Sequence, residues 1–185
     1  MRKKRLLSLV FLSVAFTFFP LKTNAEDVAL VKSEGVLTYY LQIPPCKFES
    51  VGGGTTRISM DGADYGIEPG CPNLPTLAYT FALPPGTRTK SIEVTGERTI
   101  LDGSWELEVQ PLPLPLIDGA KNTFLESMYK RNIQDIYSSS ADYPQELGTL
   151  LSAGCRREYS LATVVLYPLA YNPGTRNFTE HLTFA

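Results

Sequence analysis

The groups that could do covalent chemistry are few: one histidine, His181, and three cysteines, Cys46, Cys71 and Cys155. A Cys–His couple needs a third group to orient the imidazole and a glycine-flanked turn to expose the thiol. Neither surrounds any of the three cysteines. His181 reads instead as a surface histidine on a strand near the chain end, so the sequence assigns no catalytic residue. Cys155 precedes Arg156 and Arg157, the setting of a reactive thiol, against the plainer account of an incidental or buried cysteine.

Metal and phosphate chemistry fare no better. There is no CxxC pair and no second histidine to complete a zinc set. The stretch Asp61-Gly62-Ala63-Asp64-Tyr65-Gly66 opens like a calcium loop. However, Ala63 stands at a ligand position and Pro72 where the closing glutamate belongs, so a turn is expected. Gly52-Gly53-Gly54 lacks the Gly-Lys-Ser of a phosphate loop and reads as a plain loop. No metal and no cofactor is expected.

The first 25 residues have the composition of a secretory leader. Met1 to Arg5 is basic, Leu6 to Phe19 is a charge-free apolar run, and Thr23-Asn24-Ala25 supplies small residues for cleavage between Ala25 and Glu26. The run has 14 residues, short of the ~20 that cross a bilayer, so contact with the membrane is expected only during export. No cysteine follows Ala25 to carry a lipid anchor. The mature protein is expected outside the cell or at its surface.

Removing the leader takes five of the 17 basic residues and leaves 12 against 19 acidic ones, a net charge of −7. Nucleic acid and anionic membranes are poor partners for such a chain. The remaining 160 residues suffice for one domain with its own core. Export also permits disulfides. Cys46 and Cys71 both lie in Pro/Gly-rich turns, and a bridge between them would close a loop of about 25 residues and contribute about 3 kcal/mol.

The elements that must position these groups have a period of two. Val36–Ile43, Thr76–Ala82, Ser91–Thr95, Trp105–Val109, Tyr159–Tyr167 and Arg176–Phe184 read as strands. Asn172-Pro173-Gly174-Thr175 has the residues of a type II turn and predicts a hairpin between the last two strands; Pro85-Gly86 has the same pattern. One helix is predicted over 123–136. Thr123 to Glu126 forms its capping box, and Leu125, Tyr129, Ile133 and Ile136 share a face. Pro111 to Pro115 must be extended. The fold class is all-β, an antiparallel sandwich or partly open barrel with one short helical insertion. Residues 26–35 form a linker and 36–185 the domain.

Two phrases stand out: Gly70-Cys71-Pro72-Asn73-Leu74-Pro75, and Pro168-Leu169-Ala170-Tyr171-Asn172-Pro173-Gly174-Thr175. With the leader and the Leu83-Pro84-Pro85-Gly86 turn between them, the chain resembles the propeptide of gingipain-type cysteine peptidases over roughly residues 36–185. The matching positions are Gly70, Pro72, Leu74, Pro75, Pro168, Tyr171, Asn172, Pro173 and Thr175. Two departures are local: Cys71 sits inside the first phrase, and Cys155-Arg156-Arg157 replaces an arginine–glycine before the penultimate strand.

The resemblance implies an exported prosegment that helps its own downstream cysteine peptidase fold and keeps it latent until cleaved. The pattern of the last strand still runs at Phe184 and Ala185, so the peptidase portion is expected beyond it. Because such peptidases cut after basic residues, Lys121, Lys130 and Arg131 are candidates for an inhibitory loop, with Lys121 the first choice. The alternative is a stand-alone secreted β-sandwich that binds a surface partner or glycan, with Trp105 and tyrosines lining its site.

Overall fold

The computed structural model describes residues 29–33, 35–113 and 122–185. The leader with its Ala25–Glu26 junction, the end of the Pro111 to Pro115 run and Lys121 lie outside the described residues.

In chain order the strands are β1 (Ala29–Ser33), β2 (Val36–Gln42), β3 (Lys47–Ser50), β4 (Thr55–Ser59), β5 (Asp64–Tyr65) and β6 (Pro75–Leu83). Next come β7 (Thr99–Leu101), β8 (Glu106–Leu107) and the helix α1 (Thr123–Tyr137). The last five are β9 (Gly148–Arg156), β10 (Tyr159–Leu166), β11 (Leu169–Asn172), β12 (Asn177–Glu180) and β13 (Thr183–Phe184). They form four small sheets, ordered β1-β2-β13, β5-β6-β10-β9, β11-β12-β7 and β3-β4-β8. All pairings are antiparallel except the short contact of β4 with β8. The class is all-β with one helix, and no barrel closes.

The alternation in the sequence places the cores. β10 buries Ala162, Val164 and Leu166 while the residues between them are half-buried, and β6 buries Leu77 beside them. With Leu41, Ile43, Met60 and Phe184 these make a first core between the β6–β10 sheet and β2–β13. A second core joins the β11–β12 sheet to β3–β4 through Ile58, Leu74, Leu107, Leu169, Tyr171 and Phe178. Phe178 and Leu169 are fully buried, each contributing about 1.5–3 kcal/mol. Trp105 packs on Phe178 and Phe48 with centroids 5.3 and 5.8 Å apart, so it is a core residue and not part of an aromatic binding face.

Several expectations need correction. The linker predicted over 26–35 contains β1, which pairs with β2 from Ala29↔Tyr40 to Ser33↔Val36. Residues 91–95 form no ladder. Ile92 and Val94 pack on the first core, but the only backbone partner of Thr95 is Ala185, through two hydrogen bonds of 2.9 Å. Alternation there marks burial, not pairing. Of Trp105–Val109 only Glu106–Leu107 is a strand, with Val109 bridging Pro72.

The predicted strand 176–184 breaks at His181 and Leu182. Its halves, β12 and β13, join different sheets, so the face that is buried switches from Phe178 and Thr179 to His181 and Phe184. The hairpin at the second phrase forms, with Asn172 opposite Asn177. Its turn is not type II. The left-handed residue is Arg176 (φ 57°), whose N–H donates to the Asn172 carbonyl at 2.7 Å. At Pro84-Pro85-Gly86-Thr87 the type II turn does occur, with Gly86 at φ 76° and the Thr87 N–H 3.1 Å from the Pro84 carbonyl.

Candidate functional site

The first phrase is a pedestal. It runs antiparallel to residues 108–110: the Gly70 N–H donates to the Gln110 carbonyl (2.9 Å), Gln110 N–H to Cys71 (2.9 Å) and Asn73 N–H to Glu108 (3.0 Å). The Gln110 Nε2 adds a bond to Asn73 Oδ1 at 2.7 Å. Leu74 and Pro75 then enter the interior. On its other side the phrase carries α1. Gly70 adopts φ 84°, and a Cβ placed there would stand 2.5 Å from the Tyr129 carbonyl oxygen. Asn132 donates from Nδ2 to the Pro69 carbonyl at 2.9 Å. The described chain on either side of residues 114–121 is therefore held on the first phrase, Gln110 before them and α1 after them.

α1 begins at Thr123 as predicted, but its cap lies one residue before the predicted one. Asn122 is the N-cap, and its Oδ1 accepts from the Leu125 N–H at 3.2 Å. An asparagine at that place is at least as good a cap as threonine, and this was the overlooked signal. The predicted face holds: Leu125, Tyr129, Ile133 and Ile136 are half-buried, while Lys130 and Arg131 are exposed. Neither cation makes an ion pair with a described residue. By contrast Arg57 pairs with Glu108 at 3.0 Å and Arg98 with Asp142 at 2.5 Å.

The second phrase is structural throughout. Pro168, Leu169 and Tyr171 are buried, and the Tyr171 hydroxyl donates to the Trp105 carbonyl at 3.0 Å. Tyr171 and Tyr143 exchange two backbone hydrogen bonds of 2.8 Å. Asn172 is the hub of the turn. Its Nδ2 donates to the Ser140 carbonyl (2.7 Å) and Asp142 Oδ1 (2.8 Å), and its Oδ1 accepts from Gly174 and Thr175 N–H at 3.1 Å. Pro173 starts that four-residue loop. Leu74 of the first phrase and Leu169 and Tyr171 of the second meet in one core. The family positions thus build a platform rather than a reaction centre.

The cysteines stand apart as free thiols, and the Cys46–Cys71 bridge is not formed. Cys46 sits where the two cores meet, and burial, aided by the Glu180 carboxylate, pushes its thiol up to about 12. Cys71 is buried under the helix beside Tyr143 and Glu68, and burial raises its pKa too. Cys155 is exposed on β9, its sulfur 3.7 Å from Ser160 Oγ. Beneath the same helix the Tyr137 hydroxyl is buried without a hydrogen-bond partner, and burial raises its pKa as well.

His181 is buried, not on the surface: its backbone turns the chain from β12 to β13, with its N–H on the Pro168 carbonyl at 2.8 Å. Nδ1 lies 3.0 Å from the Glu97 carbonyl, which can only accept, so Nδ1 carries the proton. The ring lines a cavity of about 280 Å³ with Arg98, Asp142, Glu146 and Tyr167. No cysteine lines that cavity. At the aspartate turn, Asp61 is 3.2 Å from Lys47 and acts as an ion-pair partner. What the arrangement offers is a platform that presents a helix with Lys130 and Arg131 exposed.

Comparison with known proteins gives the platform a family. The model described as Propeptide_C25 matches residues 24–182. Two solved structures from Porphyromonas gingivalis share the fold. One is a complex of RgpB pro- and mature domains, with 18% identity, 85% of this chain and 81% of that chain covered, and a TM-score of 0.60. The other addresses the zymogenic latency of gingipain K, with 16% identity, 89% and 93% covered, and a TM-score of 0.57. No curated protein matches the sequence. The chain belongs to the propeptide family of gingipain-type C25 cysteine peptidases.

Proposed function

We propose that this domain is the exported N-terminal prosegment of a gingipain-type cysteine endopeptidase, assisting its folding and holding it latent until cleaved. The observation that carries the reading is the family match over residues 24–182, nearly the whole chain. The fold shared with a pro-domain found in complex with its mature domain supports the peptidase as partner. Physical economy supports latency. A tethered domain meets its enzyme at millimolar effective concentration, so a modest interface suffices before cleavage. After cleavage an interface of about 1,600 Å² would be needed to keep the two together.

Within this reading Lys121 is the first candidate to fill a basic-specific pocket, with Lys130 and Arg131 behind it. Lys121 directly precedes the N-cap of the helix that the Gly70 phrase carries, and Lys130 and Arg131 are exposed on that helix. Residues 1–25 serve as the export leader, and the mature prosegment acts outside the cytoplasm. The test is Lys121→Ala in the mature prosegment, assayed against the peptidase encoded downstream. A rise of tenfold or more in the inhibition constant supports the role, and unchanged inhibition assigns it to another residue.

A further inference from the structure

His181 is the sole histidine of the chain, and it occupies the one place where the last strands change sheets. β12 belongs with the second core and β13 with the first. The joint between them is held by backbone contacts from three segments. His181 N–H binds the Pro168 carbonyl, Ile43 N–H binds the Leu182 carbonyl at 2.8 Å, Thr95 and Ala185 exchange two backbone bonds, and Gly96 bridges Phe184. The imidazole sits inside this joint, 5% exposed, with Nδ1 on the Glu97 carbonyl and its ring 6.1 Å from that of Phe184. A Cβ on Gly96 would lie 3.6 Å from Nδ1, in ordinary van der Waals contact with the ring.

The charged groups that share the cavity with the ring are of both signs. From the 96–98 segment comes Arg98, a cation lining the same cavity, and from the 142–147 loop come Asp142 and Glu146. Asp142 is already engaged by Arg98 and by Asn172. Tyr167 lines the cavity from the β11 side, and Glu180, the neighbour of His181 on β12, lies beside Cys46. The Nε2 atom has no hydrogen-bond partner among the described residues. A proton there would charge a ring that is 5% exposed and shares its cavity with the Arg98 guanidinium as well as with Asp142 and Glu146, and the cost of burying that charge falls on the folded state.

We propose that His181 makes the β12–β13 joint an acid-sensitive latch, closed at neutral pH and loosened when the ring is protonated. Burial holds the His181 pKa below its ordinary value and Arg98 adds to it, against the Glu97 hydrogen bond and the Asp142 carboxylate, which pull it up. The sign follows: the folded state prefers the neutral ring. The contribution to stability is therefore complete above the unfolded value of about 6.5 and is lost as pH falls through the folded value. If the prosegment reading above holds, mild acidification would weaken the prosegment and favour release of its peptidase.

The test uses the mature chain, residues 26–185, with no peptidase present, so its failure and the failure of the prosegment reading are separable. Because there is one histidine, its ring resonance is identified without assignment. An NMR titration midpoint below 6.5, with amide exchange at Thr95 and Ala185 accelerating several-fold below it, is expected. A midpoint at or above 6.5, or exchange at those amides indifferent to His181 protonation, overturns the latch. His181→Asn, which keeps a donor for the Glu97 carbonyl, should abolish the fall in Tm between pH 7.5 and 5.5. An equal fall in variant and wild type also overturns it. If the variant does not fold, the titration and exchange of the wild type decide alone.

Discussion

Gly70 touches Tyr129 backbone to backbone: the space where a side chain would begin lies 2.5 Å from the tyrosine carbonyl oxygen. That contact seats α1 on the first proline phrase, which also makes a ladder with Gln110. A motif glycine far from any chemistry thus governs how the helix is seated. Replacing it adds a backbone clash to the strain of a left-handed residue. Gly70→Ala is expected to cost about 2–4 kcal/mol, measured by urea unfolding, and to increase proteolysis between residues 111 and 137.

Arg157 carries the opposite strain. It is a non-glycine residue at φ 56° in the tight turn between β9 and β10, where glycine would sit without cost. Arg157→Gly is expected to stabilise the domain by about 1 kcal/mol. An unchanged or lower urea midpoint would mean that the arginine side chain makes up for its backbone.

Asn172 satisfies four polar groups with one amide. Asn172→Ala leaves the Ser140 carbonyl and the turn amides unpartnered, and a loss of about 2–3 kcal/mol is expected. Tyr137→Phe is the contrasting case. Its hydroxyl is buried without a partner, so removing it is expected to be neutral or to stabilise by about 1 kcal/mol. Thermal unfolding of both variants checks the contrast.

The three thiols should separate by accessibility. Cys155 is exposed, whereas Cys71 is buried and Cys46 is pushed up to about 12 by burial and Glu180. At pH 8 a disulfide reagent should titrate one thiol rapidly in the native chain and the other two only on unfolding. Two thiols missing from the denatured count would reveal a Cys46–Cys71 bridge.

The long alternating strands and the helix were legible because their burial repeats locally. β2, β6 and β10 fall where period two places them, and α1 ends within a residue of its predicted span. What the sequence hid was which stretches share a ladder. Ile92 and Val94 alternate like a strand yet find no partner strand, because that edge is met only by the chain end at Ala185. The switch at His181 was hidden for the same reason: one continuous pattern serves two sheets whose buried faces are out of phase. The Gly70 and Asn172 phrases were visible as turns and as a resemblance. Their meeting through Leu74, Leu169 and Tyr171 required the fold, since roughly a hundred residues separate them. The sequence also left His181 on the surface, because a lone polar residue in an alternating run carries no sign of the cavity beside it.

The central claim is that this domain holds a cysteine peptidase latent. The most direct measurement is titration of the mature peptidase encoded with it by residues 26–185 added in trans, following hydrolysis of a substrate with a basic residue before the scissile bond. Stoichiometric inhibition at submicromolar concentration, relieved when the prosegment is cleaved, is the predicted result. Full peptidase activity in excess prosegment, together with normal refolding of the peptidase in its absence, would contradict the account.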